Sequence, residues 1–326
     1  MTEFAIKRLL SGGLITNYTC SGECRHCLYA CSPKRKNEYI SESDALKYLA
    51  LMKRMGCGSV HIGGGEPFLH RAGLAGVLRA AAQAGVVVEY VETNSSWFKD
   101  EASADKILEK LRAAGLRSLL VSISPFHSEF VPLYKVNGVI QACNRIGINV
   151  IPWVRDFYSD LSQFDMNGTI PFEELEARFG EDFLRNIPKR YWIQPNGRAV
   201  NFLQKAYTMQ SAVDLASNRN GCSELLQTGH FHVDLYGNYI PGLCSGLSIR
   251  VADLGRVLRP EEYPLLNILV EKGPAGLIDM ACGYGYKIAH EYLNKCHLCQ
   301  DLRRFLLREK GLDTQELQPR EFYAFL

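Results

Sequence analysis

The chain has 326 residues, a formal net charge of +2, 47% hydrophobic and 22% charged residues. That balance is ordinary for a globular enzyme able to bury a sizeable core in one large domain or two ordinary ones. Basic residues are spread along the chain, so no polyanion-binding tail or dedicated nucleic-acid site is expected. With no run of about 18 apolar residues and no secretory signal pattern, the expectation is a cytoplasmic protein without a membrane partner.

In chain order, strand-like and helix-like segments alternate. Gly13–Tyr18 reads as a short apolar strand. Glu42–Met55 has apolar residues at helical spacing, with Ser41 as cap. Ser59–Ile62 is a strand that stops in glycines. Ala72–Ala84 is helical, Val86–Val91 a β-branched strand, Ala102–Ala114 helical, Ser118–Ile123 a strand, Leu133–Ile146 helical and Val150–Val154 a strand. This alternation predicts βαβ units on a parallel sheet, with Tyr191–Gln194 a candidate sixth strand. Beyond about residue 200 the alternation is lost. Phe231–Cys244 then reads as a hairpin turning at Tyr236-Gly237-Asn238.

Eleven cysteines are too sparse for a disulfide scaffold, and they cluster, which points to metal binding or catalysis. Cys57 and Cys143 stand apart and read as buried structural thiols. Cys20, Cys24 and Cys27 form C-x3-C-x2-C after the first strand, with Cys31 following. Three thiolates can hold three irons of a [4Fe–4S] cluster and leave the fourth open. Taken alone, the segment also fits a closed zinc site with Cys31 as fourth ligand.

One βα unit later comes Gly63-Gly64-Gly65-Glu66-Pro67. Together the two motifs resemble the radical S-adenosylmethionine superfamily over roughly residues 13–200. The resemblance implies an α/β fold, a partial (β/α)6 barrel. It implies an iron–sulfur cluster on Cys20, Cys24 and Cys27, with S-adenosylmethionine as cosubstrate. Gly64, Gly65 and Glu66 would meet the cosubstrate's amino group, the last through its carboxylate. His26 stands where the family has an aromatic near the adenine. Ser122 and Ser124 lie at the ribose-contacting strand end, with Ser124 in the position usually acidic. Asn94 takes a polar position after the third strand. His127, Trp153, Arg155 and Arg198 fall near strand ends and are candidates to line a pocket.

The carboxyl region has Cys222, Cys244, Cys282, Cys296 and Cys299, the last two as C-x2-C. It resembles the auxiliary-cluster regions called twitch and SPASM domains. Arg198, in Asn196-Gly-Arg-Ala, is another feature seen just before such regions. Six residues separate Gly237 from Cys244, more than such regions usually have, and the cysteines are too few for two clusters. One auxiliary [4Fe–4S] cluster on Cys222, Cys244, Cys296 and Cys299 is expected, with Cys282 as rival for any place. A structural zinc on the same thiolates is the alternative. The division expected is a barrel core over 1–204 and a cluster region over 205–326.

The resemblance implies an oxidoreductase or maturase-type enzyme. It would cleave S-adenosylmethionine reductively and abstract hydrogen from a peptide or small-molecule substrate, with flavodoxin or ferredoxin as reductant. A non-catalytic iron–sulfur, zinc-binding or electron-transfer protein on the same scaffold is the other reading. Intact Cys20, Cys24, Cys27 and Glu66 favour the enzyme.

Overall fold

A computed structural model describes residues 4–180, 182–217, 220–288 and 291–326. Local signals define its first elements. Ser41 is extended and its Oγ accepts from the Asp44 N–H at 3.0 Å, which starts α1 (Glu42–Arg54) with a satisfied donor. Gly85, at φ +66°, ends α2 (Arg71–Ala84) in the left-handed conformation that glycine adopts without penalty. Asp100 caps α3 (Glu101–Ala114) by accepting from Ser103 N–H at 2.8 Å, and α4 spans Leu133–Ile146.

Between these helices run β1 (Gly12–Ile15), β2 (Ser59–Gly63), β3 (Val87–Thr93), β4 (Ser118–Ser122) and β5 (Asn149–Trp153), all paired in parallel. One face of the strands contributes Leu14, Val60, Ile62, Leu119 and Val121 to the core shared with helix residues such as Leu49 and Val77. The other face turns inward and leaves His61, Tyr90, Leu120 and Ser122 lining a cavity. This is the period-2 alternation of strands in an α/β layer.

The sheet continues beyond β1. There β6 (Phe231–Asp234) pairs in parallel, Gly12 opposite Phe231 through Ile15 opposite Asp234. The chain then turns back into β7 (Asn238–Ile240) and β8 (Ile249–Arg250), both antiparallel. Gly237 takes φ +78° in the turn, and Asp234 Oδ1 accepts from the N–H groups of Tyr236 and Asn238, each at 2.9 Å. The order is β5-β4-β3-β2-β1-β6-β7-β8. Six parallel strands thus form an open, partial α/β barrel, and the sixth is not the one expected. Residues 191–194 form no strand; they cross the open side as irregular chain and line the cavity. Tyr191 packs there against Trp153, with ring centroids 6.3 Å apart.

Two helices complete the carboxyl part. α5 (Pro264–Gly283) is broken at Gly273, and α6 (Lys295–Arg308) packs against it. Among the described residues no helix is long and apolar enough to cross a membrane.

Candidate active site

The cysteine loop leaves the carboxyl end of β1, where parallel α/β sheets place their sites. Backbone bonds fold it back on itself: Cys20 N–H donates to the Ser32 carbonyl at 3.2 Å and Ser32 N–H to the Tyr18 carbonyl at 3.3 Å. Cys20, Cys24, Cys27 and Cys31 all face the cavity. Arg198 reaches across to this loop. Its Nε donates to the Cys24 carbonyl at 3.1 Å and its Nη2 to the Cys31 carbonyl at 2.6 Å. Asn94 Nδ2 stands 3.5 Å from Cys20 Sγ and 3.0 Å from Ser21 Oγ. Burial pushes the Cys20 thiol up to about 12. Cys27 is held down instead, by a hydrogen bond from the Cys31 thiol and by the Arg198 charge.

Gly64 and Gly65 line the same cavity, but their missing side chains serve the cysteine loop. A Cβ on Gly65 would fall 2.0 Å from the Thr19 carbonyl oxygen, and one on Gly64 would fall 2.7 Å from that of Asn17. Gly64 also adopts φ +149°. Gly65 and Glu66 donate their N–H groups to the Asn17 and Thr19 carbonyls at 2.8 and 3.0 Å. The glycines therefore lock the strand-end loop against the cysteine loop.

The Glu66 carboxylate does not face the cavity as expected. It is fully buried and turned toward its neighbours. It accepts from Asn94 N–H at 2.7 Å, Thr93 Oγ1 at 3.0 Å and Phe68 N–H at 3.1 Å. Burial pushes it up to about 7 against these donors. Three satisfied bonds in the interior leave it a brace between the loops after β2 and β3.

At the far wall His26 stacks on Phe126, with centroids 4.5 Å apart, and its Nδ1 is buried without a partner. Ser122, His127 and Trp153 line the cavity. Ser124 and Arg155 do not: Ser124 Oγ is paired with His127 Nδ1 at 2.7 Å and caps the 125–128 turn, and Arg155 lies in the short helix after β5. Ser124 Oγ thus meets the His127 ring.

The same lumen carries residues that spacing alone did not single out. His61 on β2, His230 ahead of β6 and His232 on β6 present ring nitrogens within 4.8 Å of one another. Glu92 on β3 lines the same cavity, raised to about 7 by burial and by Glu66. Alternation in Phe231-His232-Val233-Asp234 hints that His232 shares a face with His230, but only the pairing of β6 with β1 brings them to His61.

In the carboxyl part Cys222, Cys244, Cys296 and Cys299 line a single small cavity with Glu224, Lys295 and Arg303. Cys296 and Cys299 share a face of the first turn of α6, whose start is capped by Asn294 Oδ1. Cys282 lies at the end of α5, exposed and outside this cavity. Among the described residues, no three of these sulfurs lie within 4.8 Å of one another. The two cysteine sites are tied together. Gly197 N–H donates to Gln300 Oε1 at 2.7 Å, while Gln300 Nε2 donates back to the Gly197 carbonyl at 3.3 Å.

Residues 14–147 match the family model described as the Radical SAM superfamily. No curated protein sequence matches the chain. Among solved structures, the chain resembles Streptococcus suis SuiB at 14% identity, over 85% of this chain and 69% of that one, with a TM-score of 0.35. It resembles anSMEcpe with bound AdoMet at 12% identity, over 92% and 97%, with a TM-score of 0.43. For BtrN in complex with AdoMet and 2-DOIA the values are 13%, 83%, 90% and 0.41.

Proposed function

We propose, from the match of residues 14–147 to the Radical SAM superfamily model, that the protein is an enzyme that cleaves S-adenosylmethionine reductively to begin hydrogen abstraction from a substrate in the barrel lumen. A single observation carries the reading: Cys20, Cys24 and Cys27 open into the same cavity as Gly64, Gly65, Asn94 and His26. Three thiols on one loop fit a four-iron cluster with one iron left open. The His26 ring lines the same cavity, stacked on Phe126. When bound, the cluster supplies the electron that splits the cosubstrate into methionine and a 5′-deoxyadenosyl radical.

The chain's own residues hold and orient. Cys20, Cys24 and Cys27 anchor the cluster, and Asn94 approaches Cys20 Sγ. The Gly64–Gly65 backbone and Ser122 border the cosubstrate. Glu66 and Ser124 act through Asn94 and His127. The second cysteine set, gathered around one small cavity, holds an auxiliary four-iron cluster, with a structural zinc on the same thiolates as the alternative. On this reading residues 205–326 are a twitch- or SPASM-like region joined to a core over 1–204. The substrate is a small molecule or a peptide, and a flavodoxin- or ferredoxin-type reductant in the cytoplasm supplies electrons.

The test is anaerobic incubation of reconstituted protein with dithionite and S-adenosylmethionine, followed by assay for 5′-deoxyadenosine. Formation of that product supports the enzyme. Its absence from a cluster-replete preparation sinks the proposal in favour of an electron-transfer protein.

A further inference from the structure

We propose that His61, His230 and His232 form a second kind of metal site, a three-histidine centre for a divalent transition ion of the zinc class. It lies in the lumen beside Tyr29 of the cysteine loop. The three ring nitrogens already lie within 4.8 Å of one another. Around a zinc ion with Zn–N of about 2.0–2.1 Å they would stand ~3.4 Å apart, so small ring rotations close the site.

The sheet is built for this meeting. Gly13 on β1 is opposite His61 on one side and His232 on the other. A Cβ on Gly13 would fall 2.3 Å from His61 Nε2. The central strand is bare at the one position where the two imidazoles reach over it. Both rings are buried and strand-borne, which holds ligands more firmly than loops do. His230 is exposed and supplies the third nitrogen where an ion can enter.

The hydrogen bonds fit as well. His61 Nε2 and His232 Nε2 are 2.9 Å apart, and His232 Nδ1 is 2.7 Å from the Tyr29 hydroxyl. In the metal-free protein one Nε2–H donates to the other nitrogen. An ion would take both Nε2 lone pairs, moving the His232 proton to Nδ1, where the Tyr29 oxygen accepts it. Metal-bound histidines keep an outer partner of this kind on the second nitrogen.

An all-imidazole set suits zinc and its first-row neighbours. Three protein ligands leave a fourth position open, the pattern of sites that bind substrate and not of closed structural ones. The open position faces the lumen shared with Cys20, Cys24 and Cys27. It would anchor an oxygen or nitrogen donor of the substrate.

The experiment is a Co2+ titration of the anaerobically purified full chain, its iron content recorded first, followed by Zn2+ displacement. The expected result is about one ion per chain, with d–d absorption and no sulfur-to-metal charge transfer. His230→Ala alters an exposed side chain and should weaken binding at least about tenfold, as should His61→Gln. Tyr29→Phe should weaken it less, and Cys282→Ala, exposed and outside both cavities, should leave it unchanged. Charge-transfer bands, no stoichiometric binding, or full affinity in His230→Ala would overturn the site. The titration needs no S-adenosylmethionine, so failure of the radical reading would not mimic failure of this one.

Discussion

Arg198 donates to the carbonyl of Cys31 at 2.6 Å and to that of Cys24 at 3.1 Å, while its own N–H donates to the Cys27 carbonyl at 3.1 Å. One residue from far along the chain thus clamps three carbonyls of the cysteine loop. Each charge-assisted bond contributes roughly 1.5–3 kcal/mol. Arg198→Ala should therefore loosen the first iron site without unfolding the barrel. The expected result is faster iron loss to a chelator from that site alone, with the carboxyl site intact. Equal loss rates in variant and wild type would refute the clamp.

The separation of the two cysteine sets makes a second test. Wild-type protein, reconstituted anaerobically, should hold about eight irons in two four-iron clusters. Joint replacement of Cys20, Cys24 and Cys27 by Ala should leave about four and abolish 5′-deoxyadenosine formation. Joint replacement of Cys222, Cys244, Cys296 and Cys299 should also leave about four, on the other site. Cys282→Ala should change nothing, since its side chain is exposed and outside both cavities. Zinc in place of the second four irons would remove the auxiliary cluster from the account.

Glu66 makes a test of position over contact. Its carboxylate accepts from two backbone N–H groups and one hydroxyl. In Glu66→Gln the amide NH2 would meet one of those donors head-on and leave a buried bond unmade. That costs about 1–3 kcal/mol. The midpoint of urea unfolding should fall accordingly. In the folded fraction, affinity for S-adenosylmethionine should change only modestly, because the carboxylate is turned away from the cavity. A loss of affinity with stability unchanged would return Glu66 to direct contact with the cosubstrate.

These outcomes follow the limits of what local patterns encode. The first five strands were legible because each helix between them announces itself by periodicity, a cap such as Ser41 or a terminal glycine such as Gly85. The C-x3-C-x2-C spacing was legible because all its members share one short loop. The sixth parallel strand was not. The turn at Tyr236-Gly237-Asn238 is a local signal, but its pairing with β1 joins segments as distant as Tyr18 and Asp234, whose side chains bond at 2.9 Å. Tyr191–Gln194 has apolar residues suited to a strand and spends them on the cavity wall. Side-chain direction was equally hidden: nothing in Gly64-Gly65-Glu66 tells that the carboxylate turns toward Asn94. The histidine cluster depends on two registers at Gly13 that no sequence pattern displays.

Glu316 lies away from both cavities. Its Oε1 accepts from Leu265 N–H at 2.5 Å near the start of α5, while its Oε2 is buried without a partner. Burial pushes its carboxyl up to about 8, although the backbone donors of Leu265 and Leu266 oppose the shift. In the unfolded chain a glutamate titrates near ~4.3. Between these values the folded state binds more protons than the unfolded one, so stability must fall as pH rises. The contribution from Glu316 is fully present below about pH 4.3 and is lost as pH passes through the folded value. Glu316→Gln removes the titration and keeps an acceptor for Leu265. Urea unfolding at pH 5.5 and 8, each in wild type and variant, isolates the effect from every other ionisable group. The stability of Glu316→Gln relative to wild type should increase from the lower pH to the higher. A relative stability that stays flat or declines over that interval would mean that the carboxyl is ionised throughout, held by the two N–H donors against its burial.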